Sequence, residues 1–88
     1  MKHSGLSQKV VLITGAGQGI GQAVAKRLAE EGAIIAAVDV KEDQLQSTVQ
    51  QMKDEGIRAF AYPGNITDQA SVQHIVDQIE KQLGPIYL

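Results

Sequence analysis

Apolar residues recur along the chain in two rhythms. Val10-Val11-Leu12-Ile13-Thr14 is a continuous β-rich run bounded by glycine, the pattern of a strand covered on both faces. Ile20, Val24 and Leu28 then recur at four-residue steps, while Lys26, Arg27, Glu30 and Glu31 lie mostly elsewhere. This predicts an amphipathic helix with those three residues inward, closed at Gly32. Residues 34–38 repeat the strand pattern. Residues 42–55 repeat the helical one, with Leu45, Val49 and Met52 inward and Gly56 at the end. A third strand is expected over residues 58–62, cut short by Pro63-Gly64. Val72, Ile75, Val76, Ile79 and Leu83 fall on one helical face; Thr67 or Asp68 is positioned to cap that helix, and Gly84-Pro85 to end it.

Strand, helix, strand, helix, strand, helix is the order of an α/β fold: a parallel sheet with helices on both faces, joined by right-handed crossovers. Ile86, Tyr87 and Leu88 read as the opening of a fourth strand. The expected organisation is therefore one unit over residues 1–88, truncated at the start of that strand.

Composition narrows the function classes. Eighty-eight residues at 43% hydrophobic and 20% charged suit a single small domain. With no cysteine there is no disulfide framework, thiolate metal site or cysteine nucleophile. Ten acidic residues against eight basic ones, with two tyrosines, one phenylalanine and no tryptophan, leave no footprint for nucleic acid. The longest apolar segment, around residues 33–40, falls far short of the ~20 residues that span a bilayer. Residues 1–7 contain no apolar stretch that would make a signal peptide or anchor. A cytoplasmic protein with a small-molecule partner and no membrane contact is the simplest expectation.

The densest chemistry lies in TGAGQGIG, Thr14 to Gly21, where Gly15, Gly17, Gly19 and Gly21 alternate between a strand and a helix. Such a turn bends sharply and presents unpaired N–H groups at a helix N-terminus, where the absence of side chains lets a phosphate approach the backbone. A P-loop is excluded because no lysine occurs between Thr14 and Gln22. The G-x-G-x-x-G spacing fails as well, since its last position would be Ile20 or Gln22. Thr-Gly-x-x-x-Gly-x-Gly fits, through Thr14, Gly15, Gly19 and Gly21. Asp39 closes the second strand at about the twenty-residue offset where a ribose-binding acid belongs. The bland alternatives are glycines that serve packing and an Asp39 that caps a helix or faces solvent.

On this glycine pattern, the order of elements and Asp39, the chain resembles the short-chain dehydrogenase/reductase family from about Leu6 to its last residue. The resemblance implies a Rossmann-type doubly wound parallel sheet and hydride transfer between a nicotinamide cofactor and an alcohol or carbonyl substrate. It also implies a homo-oligomer. Thr14, Gly15, Gly17, Gln18, Gly19, Ile20 and Gly21 match the family's cofactor loop, and Asp39 the acid that holds the adenosine ribose. Members that take NADP commonly carry arginine or lysine where Gln18 stands or just after Asp39; here Gln18 and Val40 point to NAD. Asn65-Ile66 match the Asp-Val pair that holds the adenine, with the charge removed; Asn65 as an ordinary turn residue is the alternative.

The family's acid/base tyrosine sits in Tyr-x-x-x-Lys. Tyr62 is followed four places on by Ile66, and Tyr87 is next to last, so no catalytic residue is assigned and the 88-residue chain alone is expected to be inactive. His3 and His74 are too few and too far apart for a metal site. Within the family, GAIIAAVDV and QLGPIYL resemble bacterial members that oxidise a cyclohexadiene diol to a catechol in siderophore synthesis. The alternatives are a 3-oxoacyl-[acyl-carrier-protein] reductase, against which Gln18 and Asp39 count, and a non-catalytic nucleotide-binding module.

Overall fold

In the computed structural model, which describes residues 8–15 and 19–86 apart from the Ile20 side chain, three strands lie side by side in chain order. These are β1 (Val10–Thr14), β2 (Ile34–Asp39) and β3 (Ala59–Pro63), and they alternate with α1 (Gly19–Ala29), α2 (Glu42–Asp54) and α3 (Gln69–Gln82). All pairings are parallel. Thr14 is opposite Val38, and Asp39 opposite Pro63, so the three strands end at one edge of the sheet.

The sheet divides the core into two layers because successive strand residues face opposite sides. Ile35 and Ala37 of β2 pack with Ala25 of α1 and with Leu45, Val49 and Met52 of α2. Ile34, Ala36 and Val38 pack with Ile75 and Ile79 of α3. β2 is buried at all six positions, which explains why its sequence is continuously apolar up to Asp39.

The helices of the first two crossovers end the same way. Gly32 (φ 92°) and Gly56 (φ 85°) take the left-handed conformation that a side chain disfavours. The bonds Gly32 N–H to Ala29 and Ala33 N–H to Leu28, repeated as Gly56 to Lys53 and Ile57 to Met52, form Schellman caps that satisfy terminal carbonyls. Asp68 caps α3, its side chain accepting from the Ala70 N–H at 3.1 Å.

Three expectations are corrected. Val24 does not face inward: it is 43% exposed, whereas Ala25 is completely buried and, with Leu28 and Ala29, packs into the core layer formed by one face of the sheet and α2. A small residue at the contact lets the helix axis approach the sheet, and the larger valine is left on the flank. β2 runs one residue further, taking in Asp39. β3 is shifted one residue onward to include Pro63, which an edge strand tolerates because, among the described residues, one of its sides has no ladder partner. α2 also buries Thr48, a polar residue outside the apolar pattern. Beyond β1, Ile86 forms a parallel bridge to Val10, where the fourth strand is expected to open; Tyr87 lies outside the described residues.

Candidate cofactor site

Parallel strands bring their carboxyl ends to one edge, and the residues that follow each strand are therefore gathered there. Gly15 after β1, Asp39 and Val40 at the end of β2, and Asn65, Ile66 and Thr67 after β3 line one cavity of about 210 Å³. Gly15 has φ 65°, and a Cβ built on it or on Gly19 meets nothing within 4 Å. Among the described residues no side chain crowds either glycine, so contacts with them do not account for glycine at these two positions. The space in front of the turn suits a ligand that needs close approach to the main chain.

Gly19 and Gly21 stand in the first turn of α1, whose leading N–H groups have no intrahelical acceptor. The partial positive charge of that helix end favours an anion. The Ile20 main chain belongs to the same turn; its side chain, together with Gly17 and Gln18, lies outside the described residues. Thr14 stands slightly apart. It lines a neighbouring apolar groove of about 220 Å³ with Leu12, Val38, Ile66, Val72 and Val76, on the α3 side of the sheet.

Asp39 is buried, 7% exposed, and its Oδ1 accepts the Lys41 main-chain N–H at 3.2 Å. This bond braces the turn into α2 without capping the helix, whose N-cap is Lys41 and carries no side-chain cap bond, and Asp39 lines the cavity as well. Val40, 65% exposed, forms part of the same wall. Gly64 ties the β2 and β3 ends together, its N–H donating to the Asp39 carbonyl at 3.1 Å.

Asn65 is held by a residue that periodicity does not single out. Its Oδ1 accepts from the Thr67 N–H at 2.9 Å and from the Thr67 hydroxyl at 2.7 Å. Asn-x-Thr after Pro-Gly is a turn signal that could have pointed to Thr67.

Tyr62 is buried on the α3 face and donates to Gln82 Oε1 at 2.7 Å. Burial pushes its phenol above the usual value, the opposite of what an acid/base tyrosine requires. Its role is packing.

The fold defined by this winding is a Rossmann-type α/β unit, as in solved short-chain dehydrogenases. Residues 9–88 match the family model for short chain dehydrogenases, and the chain belongs to that family. Among curated relatives, 2,3-dihydro-2,3-dihydroxybenzoate dehydrogenase of Bacillus subtilis is 45% identical over 98% of this chain and 33% of its own length. A short-chain dehydrogenase/reductase of Burkholderia phymatum, solved with NAD, superposes with a TM-score of 0.88 at 30% identity, covering 93% of this chain and 29% of that one. L-sorbose reductase of Gluconobacter frateurii, solved with NADPH and L-sorbose, gives 0.83 at 31%, covering 90% and 30%. The chain spans about a third of the length of the curated relatives it matches.

Proposed function

We propose that this chain supplies the cofactor-binding part of an NAD-dependent short-chain dehydrogenase/reductase, with the reacting side chains contributed by another part of the whole enzyme. The observation that carries the reading is the convergence of Gly15, Asp39 and Asn65 on one cavity at the carboxyl edge of the sheet, with open space in front of the glycine. In this reading the leading N–H groups of α1, exposed at Gly19, Ile20 and Gly21, hold the diphosphate. Asp39 accepts from the ribose hydroxyls, and the extra phosphate of NADP would meet its carboxylate as a like charge. Asn65 and the main chain of Ile66 border the base. The dinucleotide, when bound, supplies the hydride acceptor or donor; the described residues bind and orient it.

The 45% identity to the Bacillus subtilis relative and the likeness of GAIIAAVDV and QLGPIYL to its subgroup support a finer reading. The substrate is 2,3-dihydro-2,3-dihydroxybenzoate, oxidised to the catechol in siderophore synthesis, and the enzyme is a cytoplasmic homo-oligomer. The test uses the product of the complete gene. Calorimetry with NAD and with NADP measures binding, and NADH formation with the diol measures turnover. Tight NAD binding with catechol formation supports both readings. Absence of heat with either dinucleotide overturns the cofactor reading, whereas binding without turnover of the diol removes only the substrate.

A further inference from the structure

The first turn of α1 is short of anchors. Gly19 and Gly21 bring no side chain to it, and a Cβ built on Gly19 meets nothing within 4 Å. The apolar residues that fasten the helix to the core, Ala25, Leu28 and Ala29, all lie further along. Gln22 carries the first described side chain of α1, and it reaches the neighbouring helix: its Nε2 donates to Oε1 of Gln51 on α2 at 3.4 Å. One turn on, Lys26 Nζ stands 3.5 Å from Glu55 Oε2, so polar pairs four residues apart on each helix lace α1 to α2. Beyond the second pair the two helices are not closely packed, since a cavity of about 340 Å³ bordered by Ala29 and Ile57 lies between them.

We propose that Gln22 and Gln51 are positioning residues for the diphosphate of the bound dinucleotide. Neither touches it; their bond holds the leading N–H groups of α1 in place against α2. The inference rests on the reading of that turn as the diphosphate site. The turn into α2 is itself braced by Asp39 through the Lys41 N–H. The anion-binding turn and the ribose-binding acid are therefore registered to one helix. A turn free to rock would spend part of its time with its donors splayed, and apparent affinity falls with the fraction of time the donors converge. The bond lies at the surface, so its effect is modest.

Gln22→Ala and Gln51→Ala remove the same bond from opposite sides and leave in its place a residue that favours helix. Calorimetry on the product of the complete gene, with NAD, ADP and adenosine, reads the effect. Each single variant is expected to weaken NAD and ADP by about threefold, and the double variant no further, because only one bond is at stake. Adenosine carries no phosphate and should bind as it does to the wild type. A change below about 1.5-fold for NAD and ADP, or losses that multiply in the double variant, overturns the proposal. So does an equal loss for adenosine, which marks a general loosening of the fold. Lys26→Met breaks the pair one turn on, where Ala25, Leu28 and Ala29 already seat the helix, and should leave ADP affinity within about 1.5-fold of wild type. A loss there as large as in Gln22→Ala overturns the assignment to Gln22 and Gln51. If the wild-type protein binds neither NAD nor ADP, the cofactor reading itself has failed, and this inference with it.

Discussion

Gly64 passes so close to Ile75 that a Cβ built on the glycine would penetrate the Ile75 side chain at Cδ1 and crowd Cγ1 at 3.3 Å. The end of β3 thus passes α3 at close range at the residue just before Asn65. Gly64→Ala should destabilise the protein by about 1–3 kcal/mol, since the buried Ile75 has little room to give. Ile75→Val removes the Cδ1 atom, so the alanine should cost less in that background. Urea unfolding of the two single variants and the double variant checks this; strictly additive losses would show that the two positions do not compete for space.

Gly15 and Gly56 share a left-handed backbone, at φ 65° and 85°, and neither would place a Cβ against another atom. Alanine at either position should cost about 1–2 kcal/mol of stability. Only Gly15→Ala places its methyl group in the proposed cofactor cavity, so only that variant should also weaken NAD binding, by about tenfold. Equal NAD affinities in the two variants would detach Gly15 from the cofactor.

Asp39→Ala should narrow the preference for NAD over NADP by roughly tenfold or more, because it removes both the ribose acceptor and the like-charge contact with the extra phosphate. Paired titrations with the two cofactors measure this. A preference unchanged by the substitution would remove Asp39 from the cofactor and leave it a structural role that includes its bond to the Lys41 N–H.

Tyr62 gives the fold an alkaline limit. Its folded-state value is raised by burial above 10.0, so the unfolded chain ionises first as pH rises. The contribution is intact below about pH 10 and is lost as pH climbs through the folded-state value. Tyr62→Phe should lose about 0.5–1.5 kcal/mol at neutral pH with the Gln82 bond, and should then be less sensitive to alkali than the wild type. Denaturant unfolding at several pH values between 8 and 11 compares the two slopes.

Outside its pairing with β2, β1 makes one described strand contact, the bridge from Val10 to Ile86. Among the described residues the rest of that edge has no strand partner, and its main-chain donors and acceptors are of the kind that pair with another strand. The 88-residue chain by itself should self-associate in sedimentation experiments; a monomer at high concentration would count against an open edge.

Much of the fold is legible in the pattern of apolar residues. The period of two or of 3.6 distinguishes strand from helix, the glycines after α1 and α2 mark backbone that only they adopt readily, and Asp39 is conspicuous as the first charge after a buried run. These are properties of short segments, and short segments carry them.

Three features belong to the assembled molecule. That Ala25 and not Val24 is buried depends on how near α1 lies to the sheet, which periodicity defines only to within a residue. That Gly15, Asp39 and Asn65 share a cavity depends on parallel register among three strands. That the Asn65 oxygen is engaged depends on Thr67 turning back onto it. The sequence alone determined the elements, their order and the residue types at the sheet edge. Tertiary structure decided distance and direction, because those arise from contacts between groups the chain brings together only when it folds.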